Sequence, residues 1–120
     1  MIKISVDESA AFDALSILYV KNDISPRDGL KKQIEILLSD IQESIGFDRM
    51  SDIICSDEYN VLEKSNKEIF LLIDRLRSGE KMDAKIIDDA NTERFKAKKV
   101  LQEKFWGTEL SEVKFFKGKD

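Results

Sequence analysis

Cys55, Tyr59, Leu62, Asn66, Ile69, Ile73 and Leu76 follow one another at alternating steps of four and three. That spacing is the two-position seam of a coiled coil, held for about three heptads. No Gly or Pro interrupts it, and the only amide in the seam is Asn66. The pattern predicts one long helix, capped by Asp48 or Ser51 and ending near Ser78-Gly79. At 1.5 Å per residue it would be roughly 40 Å long, with an apolar face that other helices must cover.

The flanking segments supply those helices. Asp7 offers an N-cap for a first helix running to about Asn22, with Ala11, Leu15 and Leu18 on one face and Phe12 and Tyr19 beside it. Asp13 and Ser16 sit three apart on its flank and are therefore neighbours. Ser25-Pro26 reads as the start of a second helix, because proline at the first helical position loses nothing by lacking an N–H. Leu30, Ile34, Leu37, Leu38, Ile41 and Ile45 form its buried stripe, and Gly46 stops it. Asp83 caps a last helix that ends at Trp106 before Gly107, with Ile87, Ala90, Arg94, Ala97, Leu101 and Phe105 on its inner side. The short link before it folds it back on the seam helix as an antiparallel hairpin. Ile2, Ile4 and Val6, and later Val113 and Phe115, alternate with polar residues as short strands do. The expected fold is mainly α: an antiparallel bundle on a long helical hairpin, of about four helices, with short β-strands as an option at the termini. Residues 1–120 form a single domain.

Composition narrows the chemistry more than the fold. Charged residues are 37% of the chain and the formal net charge is −4. Such a balance suits helices with solvated faces and argues against a general nucleic-acid binder. Histidine is absent, which removes the usual imidazole base and the commonest transition-metal ligand. One cysteine allows neither an internal disulfide nor a thiolate zinc site, and without histidine Cys55 has no partner to activate it. It reads as a buried thiol. There is no apolar run of membrane-spanning length. A soluble protein of the cytoplasm is expected, with no membrane partner and no cofactor.

Ser5 to Glu8 with Asp13 to Leu18 and Lys21, Asn66 to Asp74, and Asn91 to Lys98 with Leu110 to Lys114 together resemble a family of small uncharacterised helical proteins of bacteria and phages. Ser5-Val6-Asp7-Glu8 with Asp13 to Leu18 and Lys21 is similar to that family's opening; the stretch from Asn66 to Asp74 resembles its central helix. Asn91 to Lys98, with Leu110 to Lys114, resembles its closing segment. Where the family pattern has a lysine and a glutamate in the first helix, this chain has Ala14 and Tyr19. The resemblance implies a helical fold in a bacterial or phage-infected cell. It singles out Asp13, Lys21, Asn66, Asp74, Asn91, Arg94 and Lys98, and it brings no activity with it.

Two roles are open for Asn66. A buried amide that demands a partner fixes helix register. Alternatively, Asn66 joins Asn91, Arg94 and Lys98, spaced i, i+3, i+7 on the last helix, in a pocket for a small anion such as phosphate or carboxylate. Asp13, Lys21 and Asp74 would support that pocket. A simpler outcome is that Arg94 and Lys98 pair with Asp74, Glu93 or Asp13. A rival class is the all-α Mg²⁺-dependent nucleotide pyrophosphohydrolases, which hold the metal with paired acidic motifs on two helices. Glu109-x-x-Glu112, Glu80-x-x-Asp83 and Asp40-x-x-Glu43 are the nearest matches, in the wrong order and placement. The leading expectation is a non-enzymatic binding or assembly module, acting as an elongated homodimer because helices this long outrun what one chain can cover.

Overall fold

The computed structural model describes residues 5–110. Five helices follow in order: α1 (Glu8–Ile24), α2 (Leu30–Ile45), α3 (Phe47–Ile54), α4 (Asp57–Arg77) and α5 (Ala84–Trp106). Among the described residues there is no strand. Ile2, Ile4, Val113 and Phe115, which carry the strand patterns, lie outside them, while Val6 is exposed and precedes α1.

Helix α1 is the element that joins α2 to the α4–α5 hairpin. It contacts α2, α4 and α5. Its apolar side chains are buried on more than one side, so no single stripe announces its centrality. Phe12, Leu15 and Val20 enter the core, and Ser9, Asp13 and Ser16 are buried with them. The Phe12 ring meets the edge of Tyr59 at 6.3 Å and tilts against Trp106 at 6.0 Å. Leu15, Ile34, Ile41, Met50, Ile53, Leu62, Ala97 and Leu101 complete one continuous core.

The long seam helix is in fact two helices, which is why the described residues hold five helices rather than four. Ser56 makes the break. Its hydroxyl donates to the Ile53 carbonyl (2.6 Å) and accepts from the Tyr59 N–H (3.1 Å). One side chain thus ends α3 and caps α4, a use that competes well with continuing the helix. Cys55 falls at this junction and is exposed, not buried. The seam begins at Tyr59 instead. Ser56→Ala should cost about 1 kcal/mol, the usual worth of an N-cap. A urea titration followed by far-UV circular dichroism checks this, and an unchanged midpoint would mean that the break is set by packing alone.

The second helix also starts later than its sequence signal. α1 runs on to Ile24, and the Ser25 N–H closes it by donating to the Lys21 carbonyl (2.8 Å). Ser25 is therefore spent on an ending. Gly29 then takes φ +93°, a left-handed conformation that side-chain-bearing residues resist, and α2 starts at Leu30. The stops at Gly46 and Gly107 and the start at Asp83, whose carboxylate accepts from the Lys85 N–H (3.0 Å), fall where the sequence puts them.

Helices α4 and α5 form the antiparallel hairpin, and α1 lies across one part of it. Tyr59, Leu62 and Asn66 of the seam are buried. Further along α4, Ile69 and Ile73 are half-buried and Leu76 is exposed. The described residues measure 43 × 41 × 33 Å, which is not a rod.

Candidate functional site

The polar residues buried where α1, α4 and α5 meet form one connected network. Asp13 is its centre, with its side chain 7% exposed. The Asn66 amide donates to Asp13 Oδ1 (2.8 Å) and to Ser16 Oγ (2.6 Å). Ser16 Oγ in turn donates to the Asp13 carbonyl (2.8 Å), so its oxygen is free to accept from Asn66. From α5 the Arg94 guanidinium reaches both Asp13 oxygens, through Nε (3.3 Å to Oδ1) and Nη2 (to Oδ2). Three helices are thus tied at one carboxylate by charge-assisted bonds, the stronger kind.

Local helix geometry explains the assembly. Asp13 and Ser16, three apart, project side by side from α1. Asn66 projects from the α4 seam, and Arg94 from the matching face of α5. The anion that Asn66 and Arg94 hold is the chain's own Asp13 carboxylate, which occupies the place an external phosphate or carboxylate would take. Lys98, one turn further along α5, is buried. Asn91 is exposed, Asp74 is exposed near the end of α4, and Lys21 is half-buried in the last turn of α1. The structure therefore gathers Asp13, Asn66 and Arg94 and leaves Asn91 and Asp74 facing solvent.

Gln102 anchors the other end of α1 and stood out in no sequence pattern. Its Oε1 accepts from the Ser9 N–H (2.9 Å), and its Nε2 donates to Glu8 Oε1 (3.0 Å) and Thr108 Oγ1 (2.9 Å). It thereby satisfies one of the N–H groups that every helix start leaves unpaired. A glutamine beside Leu101 in a charge-rich helix looks like surface until the neighbouring helix is placed.

A second polar region opens between the C-terminal half of α1 and the α3–α4 junction. It is a cleft of about 730 Å³, and Tyr19, Asp23, Cys55, Asp57, Glu63 and Lys67 are among the residues lining it. Tyr59 lines it too, with its ring in the core and its hydroxyl out of reach of solvent. That hydroxyl has no hydrogen-bond partner among the described residues. Burial, then the nearby Glu63 carboxylate and Tyr19, push the Tyr59 pKa far above its ordinary 10.0. Burial and Glu63 raise Tyr19 as well. The Glu63 carboxylate acts on the Tyr59 hydroxyl by its charge and is the group placed to accept from it.

The raised Tyr59 pKa has a consequence for stability. The folded chain holds this proton at pH values where the unfolded chain gives it up. The stabilisation is whole below about pH 10 and declines as the pH climbs above it. Wild-type melting temperature should therefore fall more steeply between about pH 9 and 11 than that of Tyr59→Phe. Parallel slopes for the two proteins would show that this hydroxyl does not resist ionisation in the fold.

Among the described residues no three Cys, Asp or Glu side chains gather where they could hold a metal ion. Glu80, from one of the acidic pairs, is bonded to Arg75 at 2.7 Å through both oxygens, in the turn between α4 and α5. Glu112 lies outside the described residues. Nor, among the described residues, is any helix long and apolar enough to cross a membrane. No protein-family model, curated protein or solved structure matches this chain.

Proposed function

We propose that this protein is a non-enzymatic assembly module that acts as a homodimer through the tip of its α4–α5 hairpin. The observation that carries this reading is the incompletely covered end of the seam at the hairpin tip. α1 engages the hairpin at Asn66, Arg94 and Gln102. Towards the tip, Leu76 on α4 and Ile86 on α5 are 47% and 46% exposed. Ile69, Phe70, Ile73 and Ile87 are only half-buried. A heptad pattern that continues past its intramolecular cover suits a partner helix.

Charge favours a second copy as that partner. Arg77 lies in the last turn of α4 and Asp88 near the start of α5, while Arg75 is paired with Glu80 and Asp89 with Lys85 within the chain. A two-fold axis at the tip would set Arg77 of one copy against Asp88 of the other, twice. The interface is self-complementary, as such symmetry requires. The Asp13 network serves this role from behind, by fixing the angle at which the hairpin leaves the core. A small anionic ligand fits less well, because Arg94 and Asn66 already hold Asp13. Among the described residues no three acidic side chains gather in support of the Mg²⁺-dependent hydrolase reading.

Dimerisation links stability to concentration. The melting temperature of the wild type should rise as protein concentration is raised a hundredfold, and Leu76→Asp combined with Ile86→Asp should abolish the dependence without unfolding the chain. A wild-type midpoint that ignores concentration would remove the tip as an interface.

A further inference from the structure

We infer that the groove between the start of α1 and α2 is the docking site for this chain's own C-terminal segment, Val113 to Lys117. The groove holds about 280 Å³. That is just short of the roughly 300 Å³ at which small-molecule sites begin, and it suits a few side chains of one extended segment. Buried Phe12 and Ile41 make its floor, and half-buried Leu37 and Ile45 its α2 wall. Val6, 58% exposed, stands at its rim. Glu8 and Asp40 are exposed on the lining, and among the described residues that line it there is no Lys or Arg.

Position selects the occupant. Gln102 Nε2 donates both to Glu8 Oε1 (3.0 Å) and to Thr108 Oγ1 (2.9 Å). The chain leaving α5 is thus held beside a wall of the groove two residues before the described part ends at Leu110. Leu110 is 5% exposed, so the chain is still packed against the protein there. Ten residues follow, Ser111 to Asp120. At about 3.3 Å per residue, Val113 to Lys117 reach roughly 10–23 Å beyond Leu110. The α2 wall from Leu37 to Ile45 is about 12 Å long, well within that span.

The chemistry of the segment matches the groove. Val113, Phe115 and Phe116 are its apolar residues, and Lys114, Lys117 and Lys119 outnumber Glu112 and Asp120. Aromatic side chains gain most from an apolar floor, and cations from an acidic rim. Met1 to Ile4 also adjoin the groove through Ser5 and Val6, but they bring one lysine and no aromatic ring. The groove lies by the Trp106 end of α5 and the hairpin tip by its Ala84 end, so this inference stands apart from the tip interface.

Disulfide trapping in the full-length chain tests it. Cys55→Ser removes the native thiol, which is exposed and leaves the core intact. Lys114→Cys puts a new thiol between Val113 and Phe115. It is combined either with Ser44→Cys, on the groove lining, or with Gln42→Cys, exposed on the opposite side of α2. In a glutathione buffer the Ser44→Cys pair should close an intramolecular disulfide about tenfold faster than the Gln42→Cys pair, because docking raises the local thiol concentration on one side only. Mass spectrometry of the oxidised single chain reads the rate. Adding Phe115→Ser and Phe116→Ser should slow the Ser44→Cys pair to the rate of the Gln42→Cys pair. Equal rates before that addition would overturn the inference, since a tether without a seat meets both positions alike. Faster closure that survives loss of both phenylalanines would overturn it too, as these side chains would not be what seats the segment. A disulfide between two chains in place of the internal one would overturn it in favour of a second copy as the occupant.

Discussion

Arg94→Met should destabilise the protein by about 3–5 kcal/mol, the range for removing one partner of a buried charge pair. The loss is large because of what it leaves behind. Asp13 keeps a carboxylate 7% exposed with only Asn66 to hold it. Arg94 is itself one-third exposed, so the ion pair in the intact protein contributes less than that figure. The double variant Asp13→Asn with Arg94→Met separates the two quantities. It removes both charges and still offers Asn66 an amide oxygen, and it should recover to within about 1–2 kcal/mol of the wild type. Urea unfolding of the four proteins completes the cycle. A double variant as unstable as Arg94→Met alone would show that the guanidinium acts through packing and not through its charge.

Asn66→Leu should lower stability by about 2–3 kcal/mol, the cost of withdrawing a hydrogen bond from a buried charged group. From the seam pattern alone the opposite outcome is expected, since leucine packs better than an amide at an apolar coiled-coil position. The structure reverses the sign because Asn66 faces Asp13 and Ser16 and not apolar neighbours. Millimolar phosphate should leave both midpoints where they are, since the anion that Asn66 serves is already in place. If Asn66→Leu melts higher than the wild type, the network is dispensable. A phosphate shift present only in the wild type would restore the external-anion pocket.

Much of the helical frame was legible in the sequence. The α5 limits were written in Asp83 and Gly107, and the end of α2 in Gly46, because a cap or a left-handed glycine is a local signal. The α3–α4 break was not, because Ser56 lies inside an unbroken heptad pattern and only its double use by Ile53 and Tyr59 ends one helix and begins the next. Ser25-Pro26 misled for the complementary reason. A good start signal was consumed by the end of the preceding helix. The centrality of α1 was hidden by its burial on several sides, which blurs the amphipathic pattern that marks a surface helix.

The polar site was legible in part. Asp13 and Ser16 were visibly adjacent, and Asn66 was visibly out of place in the seam. That they meet each other and Arg94 depends on the crossing of three helices, a non-local fact. Gln102 and the Tyr19–Tyr59–Glu63 cleft depend on the same crossing. Tyr59 in particular reads as one more core aromatic until the helix packing shows which end of it is left without a partner.

The central claim is that the partly covered end of the seam, from half-buried Ile69 and Ile73 to exposed Leu76, meets a second copy. Sedimentation equilibrium of the unmodified protein at micromolar concentration tests it most directly. The account predicts a mass twice the 13.8 kDa of the chain. A mass of 13.8 kDa across the whole concentration range would contradict it.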